Sequence, residues 1–273
     1  MTIKVERPVQ LHPLIRRITA NNPGIFTGPG TNTYVLGKQA LTIIDPGPNL
    51  GEHQEAILAI PGEIEQIIVT HTHPDHSPGA ASLKKKLKVP VYGILPANPH
   101  DQDLSFEPSA TLTNQQIING DGFDLRVICT PGHASNHVCL LMTPGGVLFS
   151  GDHIMNGSTV VIRPPDGDMR DYINSLVQLD KYGIETIAPG HGTTLDDPKE
   201  AINWIIQHRL NRERKVLKIL REAGCGTAKS LVSKVYDDVN LSLHSIAVWS
   251  LEAHLIKLTN DGVIAHNNGI YSI

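Results

Sequence analysis

Cysteine is scarce in this sequence. Cys129, Cys139 and Cys225 are scattered along 273 residues with no CxxC pair. An odd, dispersed set argues against a disulfide framework and suits a reducing compartment. Aromatic residues make up 4% of the chain, too few for an extended surface on which bases stack. An excess of basic charge is missing too. The formal net charge is −4, which gives no global attraction to nucleic acid. No apolar run reaches the roughly 18 residues that a membrane span needs, and the first eight residues hold no apolar signal core. The expected location is the cytoplasm, without a membrane partner. What the chain does have is 40% hydrophobic residues, enough at this length for a sizeable core and a second small domain.

The densest chemistry lies in His71-Thr72-His73-Pro74-Asp75-His76, where four metal-binding side chains fall within six positions. An apolar run over residues 64–70 precedes them and reads as a buried strand. Ser77-Pro78-Gly79 follows and reads as a helix start with a Ser N-cap and Pro in the first turn. The ligand residues therefore sit on a strand-to-helix turn. His71 and His73 alternate and can point the same way from extended backbone, while Asp75 and His76 lie past the bend and can face a second point. Without a metal, these groups would crowd desolvated polar atoms into one turn at about 1–3 kcal/mol each. The spacing fits two adjacent ions rather than one.

Other apolar β-runs end in the same manner. Asp45 follows residues 41–44, His133 follows 125–129, Asp152 follows 147–149 and His191 follows 184–188, with Gly or Pro at these junctions. Gly allows close backbone approach, and loops beyond strand ends converge on one rim of a sheet. A helix is expected over 51–59, with His53 and Glu55 on its polar side, and another over 80–87. The second carries Lys84, Lys85 and Lys86, with Lys88 just after it, a solvated face or a phosphate-attracting patch. Residues 96–110 read as a polar surface loop, 154–170 as a long loop, and 171–181 as an amphipathic helix.

These junctions resemble the motifs of the metallo-β-lactamase superfamily: Asp45, then His71-x-His73-x-Asp75-His76, His133, Asp152 and His191. The resemblance covers about residues 14–200. It implies a four-layer αββα sandwich, two mixed sheets face to face with helices outside and metals at one rim. It also implies that His71, His73 and His133 hold a first ion, that Asp75, His76 and His191 hold a second, and that Asp152 bridges them. The N/O donor set suits two Zn²⁺, with Mn²⁺ or Fe²⁺ as alternatives. Paired ions about 3.5–4 Å apart hold a bridging hydroxide as nucleophile. Three further roles are assigned: Asp75 orients that nucleophile or takes its proton, Asp45 orients a ligand His or the motif loop, and the Tyr172 hydroxyl reaches a substrate oxyanion. Asn32 would fix the first strand near the site. His137 is a structural, orienting or substrate-contacting residue, and His153 lies at the rim or in the core.

After residue 198 a long helix is expected to about 221, then helices over 228–235 and 245–258, then a hairpin across Asn267-Asn268-Gly269. This pattern resembles a winged helix. Residues 1–200 would form the catalytic domain, and 201–273 a linking helix plus a winged-helix-like domain. The third tail helix offers only Lys257 as a basic group, and Trp249, Leu251 and Leu255 read as its core. Residues 212–273 carry 8 Lys and Arg against 6 Asp and Glu, so packing or homodimerisation is favoured over nucleic-acid contact. The combination resembles the beta-lactamase-like protein 2 branch of the superfamily, which includes an endoribonuclease acting on single-stranded RNA. The expected function is hydrolysis of a small ester, thioester or lactone-like substrate. The alternatives are cleavage of single-stranded RNA by the same centre, or a winged-helix regulator with a metabolite-sensing hydrolase domain.

Overall fold

The computed structural model describes residues 3–273. The first sheet is built from β1 (Val9–His12), β2 (Ile15–Thr19), β3 (Asn32–Leu36), β4 (Ala40–Ile44), β5 (Glu63–Ile68), β6 (Val91–Gly93) and β7 (Ala110–Thr111), in that spatial order. It is antiparallel up to β4 and parallel from β4 onward. The parallel crossovers pass through α1 (Gly51–Leu58) and α2 (Pro78–Leu87). The second sheet comprises β8 (Ile117–Gly120), β9 (Phe123–Cys129), β10 (Val138–Thr143), β11 (Val147–Gly151) and β12 (Thr186–Pro189), ordered β12-β11-β10-β9-β8. Helix α3 (Met169–Leu179) carries the crossover from β11 to the parallel β12.

Strand alternation shows why the sheets stack. In β10, Val138, Leu140 and Met142 enter the core between the sheets, while Cys139 and Leu141 face the helices outside. In β3, Tyr34 and Leu36 point inward, and Val35 packs under the α1 and α2 side with Ile57 and Leu83. Both faces of both sheets are thus apolar and covered, as the expected αββα sandwich requires.

Capping fixes the outer helices. Asp168 accepts from the backbone N–H groups of Arg170 and Asp171 at the start of α3. Helix α4 (Pro198–Ala223) begins with Asp197 capping Glu200 N and Pro198 in its first turn. Ser77 departs from expectation: its hydroxyl makes no cap bond but donates to Asp103 Oδ2 at 2.6 Å. His53 is not on a polar helix face either. It is fully buried, with Nε2 2.8 Å from Thr33 Oγ1 and Nδ1 2.8 Å from Glu6 Oε2, because its ring props the turn after Asp45.

The C-terminal segment contains β13 (Cys225–Gly226), α5 (Ala228–Val235), α6 (His244–Asn260), β14 (Ala265–Asn267) and β15 (Ile270–Ser272). The three strands form a small sheet, giving the helices-plus-hairpin arrangement of a winged helix. Leu251, Leu255 and Leu258 of α6 pack with Val216 and Leu220 of α4. The other side of α6 rests on the catalytic half. Ala253 joins the cluster of Leu176, Ile202 and Ile205, and Ser250 Oγ accepts Ile162 N–H at 3.2 Å. Trp249, expected in the tail's own core, instead faces the catalytic half. The Arg163 guanidinium lies 4.1 Å over its ring, and Phe26 stacks on it at 6.4 Å. Among the described residues, no helix is long and apolar enough to cross a membrane.

Because Ala253 is buried in this seam, Ala253→Glu is expected to cost about 3 kcal/mol or more by burying an unpaired carboxylate. Glu252→Ala, on the exposed face, should stay within about 0.5 kcal/mol. Urea denaturation of both variants checks this, and equal midpoints would show that the seam does not form.

Candidate metal centre

All seven ligand residues expected from the sequence meet at one rim. Their donor atoms form three groups, each within 4.8 Å: His71, His73 and His133; His71, His76 and Asp152; and Asp75, His76 and His191. Asp152 stands between the two ends of this arrangement. Its Oδ1 lies 3.4 Å from His76 Nε2 and 3.3 Å from His191 Nε2, and its Oδ2 lies 3.7 Å from His133 Nε2. Asp75 Oδ2 is 3.3 Å from His76 Nε2 and 3.2 Å from His191 Nε2.

Hydrogen bonds behind the rings decide which nitrogen faces the site. The Thr70 hydroxyl donates to Asp45 Oδ2 at 2.7 Å, so it accepts from His71 Nδ1–H at 3.1 Å. His76 Nδ1–H donates to Asp45 Oδ2 at 3.0 Å, His133 Nδ1–H to Val161 O at 2.8 Å, and His191 Nδ1–H to Gly30 O at 3.1 Å. Each of these four rings therefore turns its Nε2 into the cluster. His73 differs, presenting Nδ1 at 3.0 Å from His133 Nε2. The Nε2 atoms of His71, His76 and His191 and Asp152 Oδ1 are buried without a hydrogen-bond partner in the chain. Orphaned donors of this type in fixed tautomers fit a divalent cation, since buried polar atoms otherwise go unsatisfied at a cost.

The charge states divide in the same way. Burial, then repulsion from neighbouring rings, pushes His71 well below the ordinary histidine range and His73 down to about 3. Burial also lowers His133. Burial acts against His191 as well, but the Asp152 and Asp75 carboxylates, 3.3 and 3.2 Å from its Nε2, overcome it and hold that ring up at about 10. His76 is likewise raised, by Asp75 and Asp152 against burial. Both carboxyls are held low, because His76 and His191 outweigh desolvation. By its own charges, the chain disfavours protonation at one imidazole set and favours it at the other, which faces two carboxylates.

Backbone geometry permits the crowding. A Cβ at Gly190 would sit 2.6 Å from Asp152 Oδ1 and 2.8 Å from His76 Cε1. A Cβ at Gly132, whose φ is +138°, would sit 2.3 Å from the Tyr172 backbone.

The profile of the Metallo-beta-lactamase superfamily matches residues 26–191. The chain belongs to that superfamily. The profile of the Beta-lactamase associated winged helix domain matches residues 227–270. A Beta-lactamase-like protein 2 homolog from Caenorhabditis elegans is 33% identical, over 95% of this chain and 89% of that protein. An atrochrysone carboxyl ACP thioesterase from Aspergillus novofumigatus is 28% identical, over 93% of this chain and 81% of that protein. A metallo-beta-lactamase family protein of Thermus thermophilus has the same fold, with a TM-score of 0.80 at 19% identity, covering 96% of this chain and 99% of that one. The protein is accordingly a hydrolase of the metallo-β-lactamase fold, a superfamily that binds divalent metals.

Within this superfamily framework, Tyr172 needs correction. Its side chain is fully buried, and its hydroxyl donates to His153 O at 2.8 Å, away from any substrate oxyanion. Helix α3 turns that ring into the core beneath the rim, where Arg209 covers it. His153 lies in the core beside it. His137 is structural: its Nε2 accepts Asp152 N–H at 3.1 Å, and its Nδ1 lies 2.8 Å from Thr130 Oγ1. Asn32 does more than fix a strand, donating to Pro189 O and Gly192 O and so gripping the turn that carries His191. Sequence reasoning missed Thr31, whose hydroxyl bonds Asp75 Oδ2 at 3.1 Å, and Thr70 behind His71. It read 96–110 as a polar surface loop and did not anticipate its bonds to the ligand turn. In fact Gln102 accepts from the Thr72 hydroxyl at 2.6 Å, and Asp103 N–H bonds Thr72 O at 2.7 Å.

Tyr172→Phe should leave turnover within about twofold of the parent and cost roughly 0.5–1.5 kcal/mol of stability for one buried hydrogen bond. A hundredfold loss of kcat would return the hydroxyl to the reaction. In metal-stripped protein, the raised His191 stabilises the fold below about pH 6.5, and this contribution is lost as pH climbs through about 10. Zinc added at pH 7.5 is therefore expected to release protons, with His191 and His76 the rings that hold them. Calorimetry in buffers of different ionisation enthalpy counts them, and zero release would contradict the charge division.

Proposed function

We propose that this protein is a dinuclear metal-dependent hydrolase acting on an ester, thioester or lactone with a largely apolar acyl part. The observation that carries this reading is the placement of Asp152, one oxygen toward each histidine set, at the foot of a cavity of about 670 Å³. Ile25, Phe26, Met155, Val161 and Trp249 give the cavity apolar walls. An acyl chain can enter such a space while bulk water is kept from the carbonyl. The thioesterase name of the Aspergillus relative favours the same substrate class.

In this reading His71, His73 and His133 would hold one zinc and Asp75, His76 and His191 a second, with Asp152 available to both. When bound, such a pair supplies Lewis acidity to a carbonyl oxygen and brings the pKa of a water toward neutrality. Asp75 is the most open of the carboxylates, with a quarter of its side chain exposed to the cavity. It is the carboxylate placed to accept a hydrogen bond from a water in the cavity and so to orient it. Asp45 touches no substrate. It fixes His76 directly and His71 through Thr70. The single-stranded RNA reading draws less support: of the guanidinium groups on the cavity Arg163 pairs with Asp101 and Arg212 with Asp238, leaving Arg209, and the exposed Lys85, Lys86 and Lys88 lie on α2 and its cap, away from the cavity lining.

The test is a substrate screen on zinc-loaded protein, its chelated form and Asp152→Ala. Thioester turnover is expected only from the parent, with less metal retained by the variant. Activity surviving chelation would reject metal-dependent chemistry. RNA cleavage that falls steeply with added salt would point to RNA instead, since turnover of a neutral ester does not depend on counterion release.

A further inference from the structure

The far wall of the cavity contains a charge without a counter-charge. Arg209 of α4 lines this space and is only 3% exposed. Its Nη2 donates to Val160 O, its guanidinium lies 5.3 Å over the Tyr172 ring, and its Nε has no partner. Among the described residues, no carboxylate lies within 4.0 Å of it, whereas nearby Arg212 is paired with Asp238 at 2.7 and 2.8 Å. Two further buried polar atoms on the same cavity lining are also unpartnered, Tyr236 Oη and His208 Nδ1. The uncompensated field is felt locally. Burial, followed by Arg209 and Arg212, pushes His208 down to about 4. Arg17, also buried and without a carboxylate, caps Gly192 O and does not line the cavity. A buried guanidinium pays a large desolvation cost unless an anion meets it.

Its position relative to the metal centre follows from the chain. Val160 O binds Arg209, and the next carbonyl, Val161 O, binds His133 Nδ1. Adjacent Cα atoms are about 3.8 Å apart, so the guanidinium lies no farther than about 12 Å from His133 Nδ1.

We propose that Arg209, helped by Tyr236 and His208, forms a subsite for an anionic group on the substrate, a carboxylate carried roughly five or six bonds from the scissile carbonyl. The proposal rests on the hydrolase reading above and narrows its substrate to a thioester or ester with a remote acid. The acid belongs either to the acyl chain or to the departing thiol, and both place the same chemistry against the guanidinium.

Three thioesters separate these cases on zinc-loaded, full-length protein: hexanoyl-N-acetylcysteamine, its adipoyl counterpart with a terminal carboxylate, and the hexanoyl thioester of 3-mercaptopropionate. One of the two acids is expected to exceed the neutral thioester in kcat/KM by about tenfold or more, as for a charge-assisted pair. Which acid does so identifies the side. Arg209→Gln should bring that ratio to about one, and Arg209→Lys should restore part of it. Tyr236→Phe, which retains the ring beneath Arg212, should lower the ratio with little risk to folding. Equal rates for all three thioesters, or an acid preference that survives in Arg209→Gln, would overturn the subsite. If none of the three is hydrolysed, the hydrolase reading fails separately. Calorimetric binding of adipate then decides the subsite: affinity falling about tenfold in Arg209→Gln supports it, and unchanged affinity or no binding rejects it.

Discussion

A single carboxylate group ties the two halves of the metal centre together. Asp152 leaves the end of β11 with one oxygen toward His76 and His191 and the other toward His133, all in a nearly dry environment. Seven side chains that prefer water have been drawn into one rim, and burial alone would make such a gathering unfavourable. The chain meets that demand in two ways. It disfavours protonation of the His71, His73 and His133 imidazoles, and it sets His76 and His191, where protonation is favoured, against Asp75 and Asp152. Asp45 joins the two sides from behind, because its Oδ2 receives both the His76 ring and the Thr70 hydroxyl that orders His71.

Sheet architecture makes this rim available. β4, β5, β11 and β12 each end shortly before a ligand or its support, and β9 does so for His133. Short turns carry these residues inward. Gly190 and Gly132 sit where a side chain would strike the cluster or the start of α3. The rigid part of the protein thus ends within a few residues of the chemistry, a placement that suits preorganised catalysis.

Much of this was legible in the sequence, for physical reasons. The ligands cluster at ends of apolar β-runs, and period-two alternation and Gly–Pro punctuation are local signals that survive without coordinates. The αββα layering was implied by the family resemblance that those ligand junctions carry, and the winged-helix tail by helices followed by a hairpin. What could not be read depends on contacts between distant segments. Tyr172 looked available because it opens a helix after a long loop, but the direction of its ring is set by the core of α3 against Arg209. Ser77 had the right position for a cap, yet Asp103, 26 residues away, takes its hydroxyl. Trp249 fits an apolar stripe, and nothing local reveals that α6 has two apolar faces, one for its own domain and one for the catalytic half. Thr31, Thr70 and Gln102 are ordinary polar residues in sequence and acquire roles only when their neighbours converge.

The seam between α6 and the catalytic half has a consequence for how this protein can diverge. The floor of the cavity comes from the sheet rim, whereas Trp249, Ile246 and Arg209 on its walls come from the tail and the helix leading to it. Substitutions in the tail can therefore alter what fits inside without disturbing a single ligand, so a lineage could change diets while keeping its chemistry intact. The same arrangement constrains the helix that would lie in a nucleic-acid groove in other winged-helix proteins: part of its surface is already spent inside its own molecule.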